Sequence, residues 1–471
     1  MPWGSTERIF DFLTRPGGLA GGCGATTAAL QKEKLTMPNF LLFIALIYFA
    51  DAIAPGSDAR FLVLPPPRTI SAKGVRRPLT PDFFLRSIGA DSRILESAME
   101  REKVHLNRFS VSLPPSSSSP LLGAYLNVSS SSETLSASTD VSYTLDASPT
   151  SDYVTIASKT VFGAMMGLTS LRQLVARGGG FSVPHDELHI SDAPDWPHRG
   201  IMIDSGRRFF PVPLVKNLID TMSLLKMSLL HLHVSDECRF GIESKLFPNL
   251  TSRLVGDYGG FYTQDDIRAL VAYGLARGIR IMLEMDIPGH SRGLLPLAGY
   301  GAVFCDPTDA TCSQMYGDPQ NKTYDVLTAL LGEIVPLFPE AVVHIGADET
   351  GVVGVCTTES TFAVERLVLD YLQNTLGKTP AGWEEVLFDA NAATPQTVIY
   401  SWSRHAPVSV ASRGYSVVNN NATHFYTTQA GGVYPDSWER FYFDIAQDLN
   451  STERALLQGG EISQWTDTVE C

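Results

Sequence analysis

Residues 341–349 read AVVHIGADE, a short β-branched run that stops on two adjacent acids. A run of this length, bounded by turn residues, predicts a buried strand rather than a helix. The same texture recurs through the second half of the chain. Further strands are predicted at 200–205 (GIMIDS), 228–235 (SLLHLHVS), 279–286 (IRIMLEMD), 379–384 (TPAGWE), 397–403 (TVIYSWS), 415–419 (YSVVN) and 461–466 (EISQWT). Helical patterns fit between them, as at Pro213–Met227 and Thr263–Arg277. Eight strand–helix units in sequence predict an α/β fold, a closed (β/α)8 TIM barrel over residues 194–471. The eighth strand is expected to end near Thr466, so the last barrel helix is expected to be missing. The apolar flank this leaves would unfold the barrel or drive pairing with another chain, a homodimer for example.

Upstream, residues 61–187 read as a smaller α+β domain. Alternating segments such as Val141–Leu145 and Tyr153–Ile156 predict strands, and 161–176 predicts a helix with Met165, Leu168, Leu171 and Leu174 at spacings of three. Two helices on a small antiparallel sheet are expected. Before this domain, FLLFIALIYFA at 40–50 has the length of a signal-peptide core and Ala52-Ile53-Ala54 has a cleavage pattern. Residues 37–54 are therefore taken as a signal-like segment following an extension at 1–36. An uncleaved membrane anchor stays open as an alternative, although no stretch of about 20 apolar residues exists.

The 471 residues carry a net charge of −14 with 44% hydrophobic residues. An acidic surface repels phosphate backbones and anionic lipid, so nucleic acid is not an expected partner. Asn127, Asn249, Asn321, Asn421 and Asn450 lie in glycosylation sequons, and six cysteines lack zinc-ribbon spacing. Together with the leader they predict a glycoprotein of the secretory pathway with disulfide bonds, secreted or held in a lysosome- or vacuole-like compartment.

Barrel chemistry sits at the C-terminal ends of strands. There the chain places Asp204, Asp236-Glu237, Asp286 with His290, Asp348-Glu349, Trp383-Glu384, Trp402, and Trp465 with Asp467. Acids walled by indoles suit a sugar, whose C–H face stacks on aromatic rings and whose glycosidic oxygen needs a proton donor. An adjacent Asp-Glu is commonly a helix cap, but the apolar strand before this one favours a site. Two carboxyls so close do not both ionise easily.

These residues resemble a family. Pro197–Asp204 (PHRGIMID), His231–Asp236 (HLHVSD), Asp286–His290 (DIPGH), His344–Glu349 (HIGADE), Gly382–Glu385 (GWEE) and Gly459–Glu461 with Trp465 occur in the order found in family 20 glycoside hydrolases, the β-N-acetylhexosaminidases. The resemblance covers about residues 61–471. It implies a retaining exo-glycosidase that uses no cofactor and no enzyme nucleophile. The 2-acetamido oxygen of the substrate attacks its own anomeric carbon and forms an oxazolinium.

By the same resemblance Glu349 is the general acid and then the base, protonated at the start. Asp348, ionised, orients the acetamido group. His290 bonds the acid, with Asp236 behind it. Arg199 grips the C3 and C4 hydroxyls. Trp383, Trp402 and Trp465 line the pocket, Tyr426 bonds the acetamido carbonyl (with Phe425 and Tyr434 as competing matches), and Asp467 stands where the family usually has a Glu. His231 and His233 share a strand face and invite a metal reading, but the further ligands of such a site are placed otherwise, so no metal is expected. Ala347 departs from the family's usual Gly. Cys356 is expected to bridge Cys305 or Cys312, with Cys305–Cys312 as the local alternative. The expected partners are glycans ending in N-acetylhexosamine. The rival readings are a truncated or inactive glycan-binding homologue and a metal-dependent barrel hydrolase.

Overall fold

The computed structural model describes residues 63–107, 119–177, 181–183, 185–252, 260–305, 315–350, 358–429, 432–433, 441 and 443–466. The signal-like segment, the extension before it, Cys312, Cys356, Tyr434 and Asp467 lie outside these residues.

The first part is an eight-stranded sheet in the order β1-β8-β4-β5-β3-β2-β7-β6. Its strands are β1 (Thr69–Lys73), β2 (Arg77–Ile88), β3 (Leu121–Val128), β4 (Tyr143–Ala147), β5 (Tyr153–Ser158), β6 (Ala176–Arg177), β7 (Phe181–Val183) and β8 (Glu187–Asp192). Two long helices pack against it, α1 (Arg93–Asn107) and α2 (Val161–Leu174). The sheet is mixed rather than antiparallel: β2 pairs parallel to β3, and β3 parallel to β5. The reason is the crossover. Helix α1 carries the chain from β2 back to the start of β3, and only a connection of that length permits parallel pairing. Thr160 Oγ1 caps α2 by accepting from the Gly163 amide at 3.1 Å. An apolar cluster fills the space between sheet and helices, with Leu121, Leu126, Leu145, Val154 and Ile156 among its buried members, and the buried Arg77 guanidinium is taken up by the Ser119, Ser148 and Ser151 carbonyls.

Eight parallel strands then close into a barrel. They are β9 (His198–Asp204), β10 (Leu229–His233), β11 (Arg280–Glu284), β12 (Val342–His344), β13 (Thr379–Trp383), β14 (Val398–Ser401), β15 (Val417–Asn419) and, after the small hairpin β16 (Thr428–Gln429) and β17 (Gly432–Val433), β18 (Leu457–Gln464). Strand β18 closes the ring by pairing with both β15 and β9. The outer helices are uneven. α3 (Val212–Leu224), α4 (Gln264–Leu275), α5 (Lys322–Ile334) and α6 (Thr358–Asp370) are long, while α7 (Glu385–Phe388), α8 (Pro407–Ala411), α9 (Ala422–Phe425) and α10 (Ser451–Arg454) are about one turn each. Thr263 and Asp266 form a reciprocal capping box on α4.

Lys226 joins the two parts. It is in the left-handed region (φ 56°), and its buried ammonium lies 2.9 Å from Tyr143 Oη and 3.1 Å from Asp192 Oδ2.

Candidate active site

Alternate residues of each barrel strand face inward, so a strand delivers one side chain to each of several layers. The apolar ones include Met202, Leu229, Met282, Ala381 and Val418, which share one buried cluster with Trp383, Tyr400, Tyr426 and Trp465. Two residues further along β10 and β11 the chain places His231 and Glu284, and then His233 and Asp286. His344, two residues before Gly346, faces Glu284 from β12. Apolar side chains and buried ions thus share the barrel interior, and the ions continue to the C-terminal mouth.

The two central acids sit on a strained turn after β12. Gly346, Ala347 and Glu349 all have positive φ (67°, 67° and 54°). Only glycine fits at 346, where a Cβ would lie 2.0 Å from Asp286 Oδ1. The turn is pinned by the Ala347 amide donating to Asp286 Oδ1 at 2.9 Å and by the Trp383 amide donating to the Gly346 carbonyl at 2.9 Å. Strain held by such contacts clusters at functional sites.

From that turn the neighbours diverge. The Asp348 side chain is 13% exposed and Glu349 is 58% exposed. His290, also left-handed at φ 45°, joins them. Its Nε2 lies 3.3 Å from Glu349 Oε2 and 3.8 Å from Asp348 Oδ2, and its Nδ1 lies 3.4 Å from Asp236 Oδ1. Asp348, Glu349, His290 and Asp236 are therefore brought together at the barrel mouth. Asp348 Oδ1 is buried without a hydrogen-bond partner among the described residues.

The proton assignment of the free site differs from expectation. The His290 hydrogen bond holds the Glu349 carboxyl below its ordinary range, whereas burial, and then the Glu349 charge, push Asp348 up. His290 is pushed well up by the Asp236 and Asp348 charges against the cost of burial. Asp286, beside Asp348, is also driven well up by burial and its neighbour's charge. At rest the proton belongs to the imidazole and not to Glu349.

The wall is aromatic. Trp383 and Trp465 stand 6.0 Å apart between ring centres, and Tyr426 is 5.9 Å from Trp465. Trp402 stacks parallel on Tyr426 at 6.1 Å. Glu384 and Glu385 hold Trp402 in place. Glu384 Oε2 accepts from its backbone amide at 3.0 Å and Glu385 Oε2 from its indole N–H at 3.1 Å. Burial raises Glu385 to about 8. Phe425 is buried in the Gly460–Phe443 neighbourhood, and it is Tyr426 that meets the indoles.

Arg199 is corrected. It is the second residue of β9, at the foot of the barrel and away from the mouth. Its Nε donates to the Lys226 carbonyl at 2.9 Å and its amide to Ser228 Oγ at 2.9 Å. Burial lowers it to about 10. One strand length separates it from the acids, so it cannot reach a sugar they hold. The arginine at the mouth is Arg207, just past β9, which the sequence reading missed. Its guanidinium lies 3.1 Å from Asp204 Oδ2 and 3.0 Å from Asp236 Oδ2, and 5.2 Å from the Trp465 ring. The strand-end rule itself contained the signal, because Arg207 follows the C-terminal end of β9 and Arg199 stands at its N-terminal end.

Groupings such as His231, Glu284 and His344 bring three donor atoms within cation-binding reach. Their carboxylate is already matched to imidazoles at 2.7–3.0 Å, and His231 is raised to about 9, which keeps it an imidazolium without a free lone pair. These residues read as ion pairs rather than as metal ligands.

The model of "Glycosyl hydrolase family 20, catalytic domain" matches residues 196–470, and a "beta-acetyl hexosaminidase like" model matches residues 63–174. The chain is 30% identical over 377 residues to Beta-hexosaminidase 1 of Arabidopsis thaliana, a match covering 73% of this chain and 66% of that one. It is 27% identical to Beta-hexosaminidase subunit A1 of Dictyostelium discoideum, covering 90% of this chain and 83% of that one. Among solved structures, a Flavobacterium johnsoniae chitobiase superposes with a TM-score of 0.70 at 26% identity, covering 87% of this chain and 66% of that one.

Proposed function

The chain belongs to glycosyl hydrolase family 20, and from that premise we propose that it is a β-N-acetylhexosaminidase. In this reading it is a retaining exo-glycosidase that removes terminal non-reducing N-acetyl-β-D-hexosamine from glycans through an oxazolinium intermediate. The carrying observation is the pairing of a buried acceptor, Asp348 Oδ1, with a half-exposed acid, Glu349, on one turn. An acetamido N–H delivered to Oδ1 supplies the missing hydrogen bond and favours the carboxylate of Asp348. That carboxylate then turns the acetamido oxygen toward the anomeric carbon and balances the positive charge as it grows. A sugar seated over Glu349 strips water from it and raises its proton affinity, so the pair's proton moves from His290 to Glu349 and on to the leaving oxygen. Substrate binding thereby inverts the protonation found at rest. Trp383, Trp402, Trp465 and Tyr426 enclose the acetamido methyl and the sugar face, and Arg207 takes the place first given to Arg199 on the sugar hydroxyls. The disulfide-bonded Cys238 and Cys305 support a place on the secretory route.

The test is hydrolysis by the purified protein of para-nitrophenyl N-acetyl-β-D-glucosaminide and galactosaminide beside the plain β-D-glucoside. Turnover is expected with the acetamido sugars only, and Glu349→Gln should lower it by about 10²–10⁴-fold. Equal turnover of the glucoside would remove substrate assistance. Binding of the acetamido sugars without turnover would instead mark a glycan-binding homologue.

A further inference from the structure

Beneath the site runs a buried series of imidazoles and carboxylates, of which the reaction above uses only the last members. It begins at the foot of the barrel, where His198 Nε2 lies 2.9 Å from Glu461 Oε2. Glu461 Oε1 is 2.8 Å from His231 Nδ1, and His231 Nε2 is 3.0 Å from Glu284 Oε2. The same Glu284 oxygen is 2.7 Å from His233 Nδ1, and His233 Nε2 is 2.9 Å from Asp236 Oδ2. Asp236 leads to His290, and His290 to Glu349. Acid and base alternate at each step, and His231, His233, Glu284 and Glu461 are fully buried.

We propose that Glu284 is a positioning residue for the hydrolysis, acting through His233 and Asp236 to keep on the His290–Glu349 pair the single proton that passes to the leaving oxygen. This rests on the acid role of Glu349 given above. The proton balance is closed. The pair holds one proton, Glu349 gives it to the glycosidic oxygen as the C1–O bond breaks, and the water that later attacks C1 returns one to Glu349.

The charge pattern says why Glu284 matters. Glu461 is held near 2 by His231, and Glu284 and Asp236 are held low by the cations beside them. His231, His233 and His290 are held high by those anions. Along this run three anions stand against three cations, with Asp204 and Arg207 as a further opposite pair beside His233 and Asp236, in a region where an unbalanced charge is costly. The groups facing Glu284 are His231 and His233 from β10, His344 from β12, Tyr400 from β14, Tyr426 beyond β15, Asp286 just beyond its own strand, and Asp348 across the mouth. His344 is lowered by burial and stays neutral. Neutralising Glu284 leaves one cation too many. His231 still has Glu461, so the excess falls on His233 and His290, which share Asp236. Their segment must then release a proton at lower pH.

The experiment is the pH profile of kcat/KM on the aryl N-acetylglucosaminide for wild type, Glu284→Gln, Glu284→Asp and Glu461→Gln. The alkaline limb of Glu284→Gln is expected to move toward acid by about one pH unit, with kcat lowered more than KM is raised. Glu284→Asp should restore most of the shift, and Glu461→Gln, two steps further from His290, should move the limb less than Glu284→Gln. A limb that stays in place while kcat falls overturns the proposal, because damaged packing alone would do that. A wild-type protein without turnover overturns the hydrolase reading instead. If the variants do not fold, nitrogen-15 imidazole spectra of the wild-type protein decide. Doubly protonated His231, His233 and His290 beside neutral His344 at pH 7 support the balanced run, and neutral His231 and His233 overturn it.

Discussion

Leu126 and Ile156 in the α+β domain and His231 and Glu284 in the barrel are equally out of reach of water. The first pair packs among apolar side chains, and the second lies in a run of ions. Burying an apolar side chain stabilises by roughly 25 cal/mol per Å² whatever the pH. Burying an ion pair roughly breaks even against an apolar pair of the same volume. The barrel interior is therefore built for something other than stability, and its charged layer lies directly under the acids of the mouth. Among the described residues the small domain shows no comparable run of alternating imidazoles and carboxylates, and it meets the barrel at Lys226, Tyr143 and Asp192.

The largest way to sharpen this contrast is on the apolar side. Leu126→Ala leaves a cavity in a core that cannot easily collapse, and should cost about 2.7–5 kcal/mol in urea unfolding. The kcat of whatever remains folded should stay near wild type. A fall in kcat at conditions of full folding would show that the small domain reaches into the reaction. On the charged side the signs reverse. Asp348→Asn should lower kcat by about 10²–10³-fold, or roughly 2.7–4 kcal/mol of barrier, because Asn cannot balance the oxazolinium charge. Burial pushes the Asp348 carboxyl up, so its ionised form is the costly one and Asp348→Asn should leave the melting temperature unchanged or higher. A melting temperature that falls with activity would make Asp348 a structural residue.

The two cores also differ in how pH acts on them. Glu461 is depressed from 4.5 to about 2, so the stability it contributes is complete above 4.5 and is lost as pH falls toward 2. His231 is raised from 6.5 to about 9, so its contribution is complete below 6.5 and is lost as pH rises toward 9. Glu385, raised from 4.5 to about 8, adds to the alkaline loss because its ionised form is the costly one. Because the Glu385 loss begins at about 4.5, the melting temperature should be highest near pH 4.5 and fall above it, more steeply once His231 joins beyond 6.5. Leu126→Ala should lower that curve without moving its maximum, whereas Glu461→Gln should flatten its acid side. A melting temperature that instead rises from pH 4.5 to 6.5 would mean that the barrel histidines are buried neutral.

Much of this was legible in the chain. The eight strands could be read because each is a short apolar run between turn residues. Asp348, Glu349, His290 and Asp236 could be placed because strand ends in a barrel share one mouth. What could not be read depends on register across the ring. Glu461 meets His231 across 230 residues of sequence, and no local pattern says so. Nor could the resting proton be placed, since it follows from a 3.3 Å contact and from burial rather than from residue type. The parallel pairing of β2, β3 and β5 was missed for a related reason: alternation gives a strand its faces but does not name its neighbour.

The smallest effect concerns Ala347, where a methyl stands on a left-handed turn (φ 67°) that carries both acids. Replacing it with Gly relieves about 1–2 kcal/mol of backbone strain. Against that, glycine loses about 0.4–1 kcal/mol more chain entropy on folding, and the fully buried methyl forgoes about 0.8 kcal/mol of burial. The terms nearly cancel, so Ala347→Gly should change stability by less than about 1 kcal/mol and leave kcat within a few-fold. A cost above about 2 kcal/mol would mean that the methyl's contacts, and not the hydrogen bonds at Asp286 and Trp383, hold the acids in place. A drop in kcat with stability intact would instead mean that a stiffer turn is part of what aims Asp348 and Glu349.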